Sequence, residues 1–489
     1  TAHGSKSTGS IPFMHVVDSQ MLAFNQGVTR RGSYAAYMNV WHPEIEEFIN
    51  MRKESGGDIN RKCLNLHNGV NINNEFLKAV EEDADWRLID PKTNEPTKII
   101  NARELWWQII NARAETGEPY IVNIDKCNEA LPQKQKDLGL EIKQSNLCSE
   151  ITLPTDEERT AVCCLSSVNL EHFDEWSKDS FFVADLITML DNVLQHFIDN
   201  AIDTEKLGEY NANFKRFKKY IRKGKRGFTK AAYSAYRERS IGLGAMGFHA
   251  YLQSKQIPFE SIYASGFNHK AFKHIKTKSL ESSKRLADSR GEAPDISGSG
   301  LRFAHLLAVA PNASSSIICG GTSPSIEPYR ANVYTHKTLS GSYQVKNKYL
   351  EKLFKTKGIK GKKLIELWKD IAGQDGSVQH LKVLTEEEKE IFKTANEINQ
   401  IWVVEHAHQR QDFICQSQSV NLFFVLPKAT ESQAIHDEYM QYVNDVHWYG
   451  ANKLKSLYYF RSNAARNAEN VNVKIPRIKL DEGCIACEG

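Results

Sequence analysis

An amide, a thiol and a carboxylate alternate along one short segment of this sequence. Asn146, Cys148 and Glu150 stand two residues apart, and alternate side chains of an extended chain share one face. We therefore expect the three groups to lie side by side, where a thiol can react and a carboxylate can move a proton. A five-residue pattern arises easily by chance, so its meaning depends on the rest of the chain.

Four other cysteines could take part in redox chemistry. Cys163 and Cys164 lie in the apolar, strand-like run 162–170, and Cys484 and Cys487 lie in a polar C-terminal segment. A dithiol in an exposed terminus is typical of thiol exchange rather than of packing. The chain has nine cysteines in total. Because the only C-x-x-C has no second ligand pair, we expect no metal site.

Two further motifs have both a functional and an ordinary interpretation. Asn312, Ala313, Ser314 and Ser315 follow the apolar run 306–309, and small residues between a strand and a helix start can cradle a phosphate. An ordinary helix N-cap is the alternative. The adjacent Tyr458 and Tyr459 could equally be simple strand formers.

The composition excludes several classes of protein. Hydrophobic residues make up 41% of the chain and charged residues 25%, and the net charge is only +3. These values are typical of a soluble globular protein, and we expect it to be cytoplasmic, with no membrane or nucleic-acid partner. The basic stretch 215–230 is interpreted as a solvated insertion; a nucleic-acid patch is the alternative.

The periodicity predicts helices that alternate with buried strands. We expect helices over 43–53, 102–115 and 181–202, and a further helix that opens at a Thr385–Glu388 capping box and includes Ile391, Phe392, Ala395 and Ile398. Apolar runs at 34–40, 121–124, 161–168, 306–310 and 420–426 predict strands, which favours an α/β fold. The segment 242–247 matches GxGxxG, but we reject a dinucleotide site because no buried strand precedes it.

Taken together and in this order, these segments resemble the large subunit of class I ribonucleotide reductases. The likeness extends over nearly the whole chain and includes the segments 117–120, 125–128, 239–244, 325–329, 339–341 and 416–421. It implies a ten-stranded α/β barrel formed from two half-barrels. Residues 1–470 would form this catalytic barrel, incomplete because its first strands are missing, and residues 471–489 would form a flexible redox tail.

The resemblance also assigns roles to individual residues. Cys148 would carry the thiyl radical, Glu150 would be the general base and Asn146 would hold a substrate hydroxyl. Asn312, Ala313, Ser314 and Ser315 would bind the diphosphate, although the family often has Glu at the position of Ala313. Tyr458 and Tyr459 would pass on a radical supplied by a metal-containing small subunit, so no cofactor is expected in this chain.

Further roles concern reduction and regulation. Cys163, with its neighbour Cys164 as the alternative, would reduce the substrate. Cys484 and Cys487 would then reduce the resulting disulfide and be recharged by thioredoxin or glutaredoxin. Gln26 and Arg30 resemble a loop that reads nucleoside triphosphate effectors; a basic surface loop is the alternative. A homodimer is expected.

The main departure from the family lies at the front of the chain. The sequence starts after the family's N-terminal region, which holds the ATP cone, part of the effector site and the partner cysteine of Cys163. We therefore expect the C-terminal part of a split, phage-type enzyme that requires a separate N-terminal fragment. A non-catalytic barrel fragment that acts as an assembly or binding module is the alternative. The tyrosine pair argues against B12-dependent and glycyl-radical reductases.

Overall fold

The structure, a computed structural model, describes residues 7–26, 30–207, 213–338, 341–428 and 430–462. Helices and strands are interspersed along this length, and several helices follow one another between β8 and β12. The helices are α1 Ile11–Ala23, α2 Ile45–Asn50, α3 Asn74–Glu81, α4 Ala102–Thr116, α5 Ile124–Glu129, α6 Gln133–Asp137, α7 Phe173–Trp176, α8 Phe182–Ala201, α9 Thr204–Leu207, α10 Phe214–Phe217, α11 Thr229–Glu238, α12 Phe248–Ser254, α13 Ile262–Arg290, α14 Ala313–Ile318, α15 Lys348–Thr356, α16 Gly361–Gly373, α17 Glu386–Ile391, α18 Gln400–Gln411 and α19 Gln433–Lys453. The strands are β1 Asn25–Gln26, β2 Arg30–Arg31, β3 Ala35–Asn39, β4 His67–Ile72, β5 Asp85–Ile89, β6 Pro96–Asn101, β7 Tyr120–Asn123, β8 Cys164–Asn169, β9 Ile241–Met246, β10 Val333–Thr338, β11 Gly341–Lys346, β12 Leu422–Phe424, β13 Ser456–Leu457 and β14 Phe460–Ser462.

Backbone pairing joins eight segments of the chain into one continuous row. Strands β3, β4 and β7 are parallel, and β13 pairs with β7 in the antiparallel sense. On its other side the β13–β14 segment runs parallel to β12. Parallel bridges at Val309–Gln418 and Leu243–Leu307 then lead through 306–309 to β9, which pairs with β8. The row does not close on itself within the described part of the chain.

The largest hydrophobic core lies between this row and the helices that cover it. Helix α8 contributes Ile187, Leu190, Leu194 and Ile198 at helical spacing, all nearly inaccessible to solvent. A separate cluster surrounds Trp368 and Phe354 and packs helices α15 to α17 against β10. This second cluster stands apart from the residues considered for chemistry.

The GxGxxG segment is itself a buried strand. All six residues of β9 are buried, and a Cβ atom at Gly244 would lie 2.5 Å from the Ala308 carbonyl oxygen. The glycines therefore allow β9 to approach the 306–309 segment closely. The rejection of a dinucleotide site remains a prediction.

The α/β class and most of the expected elements are confirmed. Helices α2, α4 and α8 and strands β3, β7, β8 and β12 fall within or beside their expected ranges, and the Thr385–Glu388 capping box is present. Two expectations were wrong. The helix that the capping box opens ends at Ile391, before Ala395 and Ile398, and the run 306–310 makes isolated β-bridges instead of a strand. The ten-stranded, closed barrel and the domain boundary at 470 remain predictions. None of the described helices is long and apolar enough to cross a membrane.

Candidate active site

The segment 146–150 is a tight turn, not an extended strand. The amide of Ser149 donates to the Asn146 carbonyl at 3.3 Å, and Ser149 has a left-handed backbone with φ of +66°. We expected an extended segment whose alternate side chains share one face. That reasoning was wrong, because side chains in a turn do not alternate between two faces. The turn nevertheless brings the Asn146 side chain close enough to Glu150 to lower the pKa of its carboxyl.

Hydroxyl groups from neighbouring segments hold the carbonyls of this turn. Tyr37 of β3 donates to the Asn146 carbonyl at 2.5 Å. Ser456 of β13 donates to the Ser149 carbonyl at 2.9 Å, and Ser419 donates to the Cys148 carbonyl. Three separate segments of the row thus fix the backbone that carries Cys148. The hydroxyls of Ser419 and Ser456 satisfy the Cys148 and Ser149 carbonyls, which have no partner within the turn.

Glu150 is a buried carboxyl with few charged neighbours. It is 3% exposed, and Ser419 donates to its Oε2 at 3.2 Å. Burial raises the pKa of Glu150, while the hydrogen bonds from Asn146 and Ser419 lower it in part. A carboxyl with a raised pKa is suited to take and return a proton near neutral pH.

Tyr459, Tyr458 and Cys148 form a continuous line of neighbouring side chains. The ring centroids of the two tyrosines are 4.2 Å apart, and the Cys148 thiol and Tyr459 both lie close enough to the Tyr458 hydroxyl to raise its pKa. Burial raises the pKa of both phenols, so both remain protonated. Arg113 of α4 donates to the Tyr458 carbonyl at 3.0 Å and fixes the backbone between β13 and β14.

Three further residues beside this line were not foreseen from the sequence. Tyr120 lies against both tyrosines, with ring centroids 4.8 Å from Tyr458 and 5.2 Å from Tyr459. His67 and Glu118 lie on the outer side of Tyr459. Glu118 and Tyr120 belong to the segment 117–120, which was used only as a sign of family likeness. No local pattern links His67 to it across about fifty residues.

The side chains of the adjacent Cys163 and Cys164 have different surroundings. Cys163 packs with Ile151 and Ala308 in a small cluster next to the Cys148 turn, and the Gln416 side-chain amide contacts its sulfur at 3.7 Å. Cys164, the first residue of β8, packs against the main core instead. Successive side chains of a strand point to opposite faces. Only Cys163 therefore faces the candidate site.

Residues 312–315 form the start of α14. Ala313, Ser314 and Ser315 are exposed, and the Asn312 side-chain amide donates to Ser167 at 2.9 Å and to the Ala245 carbonyl at 3.3 Å. This anchors the open helix start to the ends of β8 and β9. The helix start is also linked to the Cys148 turn. Val309, a few residues before α14, pairs through its backbone with Ser417 and Ser419, and Ser419 contacts that turn.

The remaining expected residues belong to other segments of the chain. Gln26 and Arg30 are backbone partners in the β1–β2 hairpin, while Cys484 and Cys487 lie outside the described residues. The stretch 215–230 is largely exposed around the buried Phe217, as a solvated segment would be. Within the described ranges, no group of three or more His, Cys, Asp or Glu side chains is placed to hold a metal ion.

Comparison with known proteins identifies the family. The family described as "Ribonucleotide reductase, barrel domain" matches residues 1–299 and 294–460. The chain is 43% identical to the ribonucleoside-diphosphate reductase large subunit of Invertebrate iridescent virus 3, and 44% identical to the putative one of Frog virus 3. Each match covers 99% of this chain and 80% of the relative.

A solved structure supports the same conclusion. The class Id ribonucleotide reductase alpha subunit of Actinobacillus ureae matches with a TM-score of 0.75 and 33% identity, over 95% of this chain and 76% of that one. The sequence match, the fold match and the cysteine at the end of two adjacent tyrosines agree. The chain therefore belongs to the ribonucleotide reductase large-subunit family.

Proposed function

We propose that this chain is the catalytic component of a ribonucleoside-diphosphate reductase, which converts ribonucleoside diphosphates into 2′-deoxyribonucleoside diphosphates. The observation that carries the proposal is the line of neighbouring side chains Tyr459–Tyr458–Cys148, which ends beside Glu150. A binding or assembly module has no use for a thiol at the end of two adjacent phenols. The arrangement therefore favours an enzyme over the non-catalytic alternative.

The chemistry assigned to these residues starts with hydrogen-atom transfer. The Cys148 thiol gives its hydrogen atom to an oxidised Tyr458, and the thiyl radical then takes the 3′-hydrogen of the ribose. Glu150 accepts the 3′-hydroxyl proton and Asn146 binds a substrate hydroxyl. The oxidised tyrosine is supplied, through Tyr459, by a radical in a metal-containing small subunit.

The remaining assignments concern binding, reduction and control. The start of α14, from Asn312 to Ser315, binds the diphosphate through its backbone amides. Cys163 supplies reducing equivalents to the 2′-carbon and ends in a disulfide with a second cysteine. Cys484 and Cys487 reduce that disulfide in exchange with thioredoxin or glutaredoxin. The hairpin with Gln26 and Arg30 reads a nucleoside triphosphate effector in a homodimer.

The decisive experiment is reduction of CDP by the chain with its small subunit, effector and reductant. We expect Cys148→Ser to abolish turnover and to keep substrate affinity, because the change removes the S–H hydrogen and keeps the shape. Cys319→Ser is the matched control, since this exposed cysteine lies at the end of α14. Full turnover in Cys148→Ser would contradict the assignment. An assay with and without an added N-terminal large-subunit fragment tests the split-enzyme hypothesis.

A further inference from the structure

A histidine and a buried carboxylate stand beside the outer tyrosine of the line. The Nδ1 atom of His67 lies 3.3 Å from the Tyr459 hydroxyl oxygen and 2.6 Å from Oε1 of Glu118. The His67 ring meets the Tyr459 ring edge-on, with centroids 5.9 Å apart. One nitrogen of His67 therefore contacts both the carboxylate and the phenol.

The carboxylate of Glu118 is held in its ionised form. Its side chain is 2% exposed, and its Oε2 lies 3.3 Å from Arg52 Nε and accepts the Asn68 amide at 3.0 Å. Burial alone would raise the pKa of Glu118, but Arg52, His67 and the Asn68 amide together lower it. An ionised carboxylate only accepts hydrogen bonds. The nearby Nδ1 of His67 must therefore carry a proton.

That proton has two acceptors. The Nδ1–H donates mainly to Glu118, the closer partner, and its second acceptor is the Tyr459 oxygen. Glu118 thereby fixes the tautomer and the orientation of the imidazole, as a carboxylate commonly does for a functional histidine. The rings of Tyr458 and Tyr120 pack against the Tyr459 ring, with centroids 4.2 Å and 5.2 Å away.

We propose that His67, oriented by Glu118, is a positioning residue for Tyr459: it donates a hydrogen bond to the Tyr459 oxygen in both the phenol and the radical form. The inference rests on the radical route of the proposed function. The donor would hold the Tyr459 ring in place against Tyr458. It would also stabilise the radical, because the phenolic oxygen becomes electron-deficient when the hydrogen atom leaves. Removal of the donor should slow radical transfer and leave substrate binding unchanged.

The test uses the full chain in complex with its small subunit, substrate and effector. Tyr459 is replaced by 3-aminotyrosine, which is more easily oxidised and so traps the radical at this position. High-field EPR then reports the hydrogen bond, because a donor to the oxygen lowers the largest principal g-value of the radical. Turnover and KM are measured in parallel in chains that keep Tyr459.

The variants separate the donor from the ring. His67→Phe keeps a ring without a donor, and we expect a higher g-value, turnover about tenfold lower and an unchanged KM. His67→Gln restores an N–H donor and should recover part of both effects. Glu118→Gln should shift both readouts in the direction of His67→Phe. His380→Phe is the control, since His380 also pairs with a carboxylate, that of Asp370 at 3.0 Å, but in a more exposed place.

The outcomes distinguish this inference from the proposed function. A radical at position 459 with the same g-value and turnover in His67→Phe as in the parent would overturn the role of His67 alone. Failure to trap any radical at position 459 in the parent would contradict the radical route itself, and with it this inference. If His67→Phe unfolds, as thermal denaturation would reveal, Glu118→Gln and His67→Gln decide through the same two readouts.

Discussion

Cys148 belongs to a turn whose backbone carbonyl groups accept hydrogen bonds from neighbouring segments. Tyr37, Ser419 and Ser456 donate to consecutive parts of that turn, so the loop has little freedom although it belongs to no helix or strand. A reactive group must be placed to within a fraction of an ångström, and hydrogen bonds from rigid strands achieve this. The position of the Cys148 thiol thus depends on the hydroxyl groups of Tyr37, Ser419 and Ser456, which take no part in the proposed hydrogen-atom transfer.

The two adjacent cysteines should differ sharply in function. We expect Cys163→Ser to abolish repeated turnover, because Cys163 packs beside Ile151 and faces the Cys148 turn. Cys164→Ser should keep most of the activity, since its side chain packs into the opposite core. Steady-state CDP reduction measures both variants. Equal loss in the two would show that strand alternation at β8 does not separate their roles.

The pH dependence of turnover should report the carboxyl of Glu150. As a general base it works only when ionised, so activity rises with pH through its raised pKa. Ser419→Ala removes a donor that lowers this pKa, and the acid limb of kcat/KM should therefore move to higher pH. The control is Ser289→Ala on α13, where the hydroxyl bonds only within its own helix. An unmoved acid limb would exclude Glu150 as the titrating base.

At the scale of elements, the close approach of β9 to the 306–309 segment joins β8 and β9 to the rest of the strand row. Gly244→Ala would place a methyl group 2.5 Å from the Ala308 carbonyl oxygen. We expect a loss of about 1–3 kcal/mol in the free energy of unfolding, or more if the backbone cannot shift. Denaturant unfolding measures the change.

The matched control for this substitution lies in helix α13. A Cβ atom at Gly266 meets nothing within 4 Å, and alanine favours a helix more than glycine does. Gly266→Ala should therefore stabilise the chain by about 0.4–1 kcal/mol. If Gly244→Ala were equally harmless, β9 and the 306–309 segment would be less tightly packed than their contact indicates.

Most elements could be predicted from the sequence because their signals are local. The apolar period of α8 and the Thr385–Glu388 capping box depend on residues within a few turns. The turn at 146–150 could not, because its conformation is imposed by Tyr37, Ser419 and Ser456 from distant strands. The pairing of His67 with Glu118 has the same origin, since the parallel strands β4 and β7 bring their ends together.

At the scale of the whole molecule, the position of Cys163 determines how a protein reductant can deliver electrons to the site. Cys163 is held in a packed cluster, and burial raises the pKa of its thiol well above the ordinary value. A protein reductant is too large to enter such a cluster, whereas a dithiol on a polar segment can exchange with it. Cys484 and Cys487 would then carry electrons from the reductant to the site.

The tail double variant Cys484→Ser/Cys487→Ser tests this division of labour. With thioredoxin or glutaredoxin as the reductant we expect repeated turnover to stop, because the site disulfide is no longer reduced. With dithiothreitol, a small dithiol that can enter the site, the double variant should match the parent chain, and Cys163→Ser should remain inactive. Thioredoxin-dependent turnover that survives in the double variant would show that the reductant reaches the site directly, and would leave the tail without a redox role.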